Sequence, residues 1–208
     1  MSVPLSQSSE NDQLFCWEQI LKTFPIYQIS NRYSAEVNSD RLLALHALLS
    51  ALDQIGTDIS DASVAKYKLE WWHRNCVVNS PDECDHPVVR ELVRTGAMEK
   101  IPSADFSALL ALVWARVDSE PHPDLTSLRA ECEKVGILCF SLEARVCGVD
   151  EFDTNAVSGL AAQSGFLSLA SRSGCAWVPM NALARHGLSR DAVEGRLTSP
   201  AVDQLFRE

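Results

Sequence analysis

The sequence predicts an all-α fold, a bundle of about seven or eight helices around one core. Three observations predict it. Apolar residues recur at three- and four-residue spacing in segment after segment; Pro, Gly, Asn, Ser and Asp punctuate the segment ends; and no alternating apolar and polar run of useful length appears. A chain of 208 residues that is 46% hydrophobic can bury one good core. The expected organisation is therefore a flexible polar leader over residues 1–10 and a single domain over 11–208.

Taken in order, Asn11 or Asp12 is the expected cap of a first helix carrying Leu14, Phe15, Trp17, Ile20, Leu21 and Phe24, with Pro25 as its stop. Residues 26–37 have weak periodicity and are expected to cross the surface. Asn38, Ser39 and Asp40 offer the next cap. Leu42, Leu45, His46, Leu49, Leu52 and Asp53 then follow amphipathic spacing, Ala44, Ala47 and Ala51 permit close helix approach, and Gly56 marks a break. A new helix restarts between Asp58 and Ser63, carries Tyr67, Leu69, Trp71 and Trp72, and ends at Asn79, Ser80 and Pro81. Residues 81–86 (PDECDH) read as a solvated acidic turn. Pro87 suits a first helical turn, and Gly96 ends that helix. The run from Ser103 is a helix closed by Pro121 and Pro123. Thr126 opens a long one with Leu128, Cys132, Val135, Leu138, Cys139, Leu142 and Val146 inward and Gly148 as stop. Thr154 or Asn155 starts a helix rich in Ala, Gly and Ser, a composition suited to tight burial. A short helical turn ended by Gly187 and a helix capped by Ser189 complete the chain.

Charge narrows the partners. With 28 Asp and Glu against 18 Lys and Arg, the chain carries −10 and repels nucleic-acid phosphates at long range, so nucleic acid is not an expected partner. Seven cysteines, odd in number and without a CxxC pair, fit neither a zinc site nor a disulfide framework. They read as small apolar residues of a protein in a reducing cytoplasm. The N-terminal MSVPLSQSSENDQ has no basic start and no apolar stretch, and no transmembrane segment is expected; peripheral membrane contact is compatible with the composition.

Four phrases now matter together: KLEWWHRN, DHPVVREL, ECEKVGILCFSLEARVCG and WVPMNALARHGLS. In that order they resemble the KLxWW helix, the HPVxxAL element, the YCxxVAG helix and the LPxxxLxxxGxS segment of the squalene/phytoene synthase family, across about residues 40–195. The resemblance implies an isoprenoid-synthase-like bundle, here expected to be C-terminally shortened. It also implies a chemistry in which an isoprenoid diphosphate loses pyrophosphate. That leaving group is neutralised by magnesium held on two aspartate clusters of facing helices.

Against that pattern the first aspartate motif aligns with Asp53, Gln54, Ile55, Gly56 and Thr57, which leaves one carboxylate of three. Asp58 and Asp61 lie nearby and are read as helix-capping residues. The second motif falls near Phe166 and Ala170, yet no Asp or Glu occurs from Thr154 to Arg190. Catalytic candidates are therefore vestigial at most: Asp53, Asp58 and Asp61, with Asp53 the one metal ligand if there is any. One branch of the family, a mitochondrial assembly factor of respiratory complex I, resembles this chain in lacking the motifs, and LDQIGTDISDASVAKYKLEWW resembles its corresponding segment.

The expected function is accordingly a non-catalytic binding or assembly factor, with a protein partner or an apolar, isoprenoid-like ligand and no cofactor. The alternative is a magnesium-dependent prenyl diphosphate transferase or synthase with a degenerate or partner-completed site, or a subunit beside a catalytic homologue. Groove-lining candidates are His46, Trp71, Trp72, Trp114, Phe166 and Trp177, although aromatics at helical spacing more often belong to a core. Glu70, His73 and Arg74 are the remaining polar candidates.

Overall fold

A computed structural model describes residues 5–23, 36–59, 61–78, 83–117, 122–149, 151, 153–170, 178–189, 193 and 200–201. Among these residues there are nine α-helices and no strand: α1 (Leu5–Thr23), α2 (Glu36–Asp58), α3 (Ala62–His73), α4 (Pro87–Arg94), α5 (Ala97–Lys100), α6 (Ser103–Val117), α7 (Leu125–Val146), α8 (Thr154–Ala170) and α9 (Met180–Arg185). A π-helical turn, Arg74–Val78, extends α3. The all-α class is as expected. No described helix is long and apolar enough to cross a membrane.

The chain, read from sequence as one domain, parts into two compact units: Met1–Asp118 with Leu138–Phe152, and Ser119–Ile137 with Asp153–Glu208. In the first unit α2 is the central helix. Leu43 to Leu48 are buried without a break, so α2 is enclosed on every side at that level. Ala44 and Ala47 are fully buried there and let neighbours come close. Around α2 gather Cys16 and Ile20 of α1, Leu69 of α3, Leu92 of α4, Phe106 of α6 and Leu142 of α7. α1 lies against both α2 and α4, and α6 against both α2 and α3.

Polar staples fix these helices. Arg90 Nε donates to Asp12 Oδ2 at 2.8 Å, joining α4 to α1. Glu91, with no exposed surface, accepts a fork from Arg94 at 2.8 and 2.6 Å. Ser50 Oγ donates to the Gln19 carbonyl at 2.8 Å.

Several boundaries differ from the sequence reading, each for a local reason. α1 begins at Leu5, inside the stretch read as leader, and Asp12 is an interior residue paired with Arg90 instead of a cap. α2 begins at Glu36, before Asn38, and runs straight through Gly56. A Cβ at Gly56 would stand 3.6 Å from Val113 of α6, in ordinary contact, and the residue lies inside the continuous helix. α7 begins at Leu125, one residue before Thr126, with Asp124 accepting from Ser127 N at 2.8 Å, whereas α8 begins at Thr154 as expected, with Asp153 accepting from Asn155 N at 3.0 Å. Of the described residues in the turn before Pro87, Glu83 and Asp85 are exposed, whereas Cys84 is buried and His86 packs among aromatic rings. Pro87 is at the helix start, and Gly96, at φ 72°, follows its end as expected.

In the second unit the first half of α7 meets α8 at Gly136, where the backbones come so close that a Cβ would fall 2.0 Å from the Ala161 carbonyl oxygen. The start of α9 hangs on the turn ahead of α7, with Met180 N donating to the His122 carbonyl at 2.9 Å and Asn181 N to the Pro123 carbonyl at 3.1 Å. Residues 26–35, the stops at 79–81 and the helix expected after Ser189 fall on residues outside the described ones, Val193 and 200–201 apart.

Candidate functional site

His46 and Asp53 are seven residues apart on α2, two turns, and therefore share a face. That face looks onto α6 and the second half of α7. Asp53 Oδ1 lies 3.5 Å from Arg116 Nη1 of α6, and the two side chains are only 12% and 11% exposed. His46 Nε2 donates to Glu143 Oε1 of α7 at 2.9 Å. Cys139, one turn before Glu143, is pushed up to about 12, by burial first and then by Glu143, while Arg116 pulls the other way. Arg145 Nε and Asp105 Oδ2, at 3.0 Å, add a further pair between α7 and α6. Asp53 is thus matched by the guanidinium of Arg116.

The other two carboxylates go elsewhere. Asp58 is the last residue of α2, five positions beyond Asp53 and so roughly 140° around the helix, and it is not a helix-start cap. Asp61 is one: its carboxylate accepts from Ser63 N at 2.8 Å and Ser63 Oγ at 2.6 Å, which holds it below the usual carboxylate range. The positions that share Asp53's face one turn on are Gly56 and Thr57, neither of them a carboxylate. Among the described residues no three His, Cys, Asp or Glu side chains gather where they could hold a metal ion. Among the described residues Asp53 faces a guanidinium and has no second carboxylate one turn away, which does not fit a carboxylate clamp for magnesium.

The aromatic candidates divide between two grooves. Trp71 and Trp72 line one of about 460 Å³, with Phe15 and Gln19 of α1, Gln54 and Asp58 of α2, and His86. Here the His86 ring sits 5.8 Å from Phe15, 5.5 Å from Trp71 and 5.0 Å from Trp72. Its Nδ1 accepts from Val88 N at 3.2 Å, capping α4. Trp114 lines a second groove, of about 600 Å³, between α3 and α6, together with Glu70, His73 and Arg74. His46 lies in the core, not on a groove. Phe166 belongs to α8, in the part of it (164–170) where the backbone alone is described, and Trp177 lies outside the described residues.

Sequence reasoning missed Arg116, Glu143 and His86. Arg116 stands alone as a cation near the end of an apolar helix, which reads as a surface residue. The one usable signal was for His86, which directly precedes Pro87 and so occupies a cap position.

Both histidines are held below the usual value of 6.5: His46 by burial against the opposing pull of Glu143, His86 by burial and then Arg90 against Asp12. A histidine lowered in the folded state binds its proton more readily when unfolded. The stability tied to the neutral rings is therefore complete above pH 6.5 and drains away as pH falls through that value and below. The urea midpoint should be level above about pH 7 and fall below it. His86→Asn, which keeps a cap but cannot titrate, should flatten part of the slope. A midpoint indifferent to pH down to about 5 would contradict the assignment of neutral rings.

The squalene/phytoene synthase model matches residues 32–208, and so leaves out α1. No curated protein and no solved structure matches the chain. With that match over most of its length, and with the all-helical architecture carrying Asp53 on the enclosed face of α2, the chain belongs to the squalene/phytoene synthase family.

Proposed function

We propose that this chain is a non-catalytic family member that works as a binding or assembly factor. One observation carries the reading: Asp53, the remaining carboxylate of the first motif, is 3.5 Å from Arg116. The absence of any Asp or Glu between Thr154 and Arg190 supports it from the opposite side. Ionisation of an isoprenoid diphosphate demands strong neutralisation of the departing pyrophosphate. Losing both donor sets costs several orders of magnitude in rate. The resemblance to the complex I assembly-factor branch points the same way. The buried thiols of Cys16 and Cys76, both pushed up to about 12 by burial first, suit a reducing compartment such as the cytoplasm.

The test is to incubate the full chain with farnesyl or geranylgeranyl diphosphate and magnesium and to follow pyrophosphate. Release should not rise above the protein-free rate. Turnover that disappears in Asp53→Ala would sink the proposal and establish the prenyl transferase alternative.

A further inference from the structure

α3 is basic on an acidic chain. Between Ala62 and Val78, Lys66, Lys68 and Arg74 stand against one carboxylate, Glu70, while the whole chain carries −10. The same stretch ends in the π-helical turn Arg74–Val78, a kind of irregularity frequent at functional sites. Arg74 and Val78 of that turn, with Glu70 and His73, form one wall of the 600 Å³ groove, and Val78 is 67% exposed; Lys68 lines the other groove. The floor is apolar, supplied by Leu69, Leu110 and Trp114. On the α6 side Ser107, Ala111 and Ala115 come at every fourth residue, so that wall is low along its whole length. From Ser107 to Ala115 the trough is roughly 12 Å long, about two turns of a guest helix. Lys66 Nζ sits 5.7 Å from the Trp114 ring centroid, which places a second cation beside the groove.

We propose that this trough docks an amphipathic helix of a partner protein in which acidic residues flank an apolar seam. The proposal rests on the binding-factor reading and gives the partner its chemistry. A concave, small-residue wall admits a helix backbone closely, whereas a flat bilayer would touch only the rims. Lys66 and Arg74 meet the guest's carboxylates, and the strongly acidic remainder of the chain discourages docking of such a helix elsewhere and repels an anionic membrane.

The probe is a fluorescein-labelled helical peptide with a Leu and Ala seam flanked by glutamates, compared with a twin bearing lysines in those places. Titrated with the full chain, the glutamate peptide should bind about tenfold more tightly than its twin. Ala111→Gln, or Ala115→Gln if the first does not fold, fills the trough from an exposed position and should abolish binding. Arg74→Glu should reverse the preference. Equal affinity of the two peptides, binding that survives the glutamine variants, or no binding of either peptide would overturn the proposal. So would co-sedimentation with phosphatidylserine and phosphatidylcholine vesicles that is lost in Arg74→Glu, which would make this face a membrane surface. Diphosphate turnover would remove the non-catalytic reading and leave the peptide result standing, so the two failures are distinguishable.

Discussion

Replacing Arg116 with Met should destabilise the protein by about 2–3 kcal/mol, and adding Asp53→Asn to that variant should recover most of the loss. Both side chains are nearly enclosed, at 11% and 12% exposure, so removing the guanidinium strands a carboxylate where water solvates it poorly. The 3.5 Å separation and the residual exposure keep the figure at the low end for a broken buried pair. The sign of Asp53→Asn alone is the informative part. In a site where carboxylates crowd together to await cations, neutralising one relieves repulsion and stabilises the metal-free protein. Here Asp53 already has its cation, so the single change should lower the urea midpoint. Measuring all four corners of the cycle checks this. A stabilising Asp53→Asn, or a double variant no better than Arg116→Met, would show that the pair is not the counter-ion arrangement on which the non-catalytic reading depends.

Periodicity was a good guide to the helices and a poor one to their ends. The runs around Leu45 and Leu52, or Leu128 and Leu142, announce themselves because burial of one face imposes its spacing on the sequence. Gly56 misleads because a single glycine inside a helical run costs only about 1 kcal/mol relative to alanine, so the helix continues through it. Asp12 misleads too: it looks like a cap, but Arg90 engages it first. The site follows this pattern. The lack of Asp and Glu from Thr154 to Arg190 was legible, since it needs only counting. What stands beside Asp53 and His46 was not, because Arg116 and Glu143 reach them across 63 and 97 residues of sequence. The aromatic pair Trp71 and Trp72 was visible, but its arrangement around His86 depends on α1 supplying Phe15.

Gly136→Ala should be the most damaging small substitution in the second unit, at about 3 kcal/mol, while Gly159→Ala should stabilise by about 0.5–1 kcal/mol. The two glycines lie on the helices that meet here, and helix propensity alone would favour alanine at both. At Gly159, an exposed position of α8, a Cβ would find nothing within 4 Å, so only the gain in backbone preference remains. At Gly136 the same Cβ would lie 2.0 Å from Ala161 O, 2.5 Å from its carbonyl carbon and 2.7 Å from its Cα. These are backbone atoms, which no rotamer change can move aside. α7 and α8 must therefore separate, and dispersion is lost along the whole contact. Amide hydrogen exchange in α8 resolves the pair: faster exchange around Ala161 in Gly136→Ala, slower or unchanged exchange in Gly159→Ala. Exchange that slows in both would mean that the helices do not approach this closely in solution, and that Gly136 is there for some reason other than room.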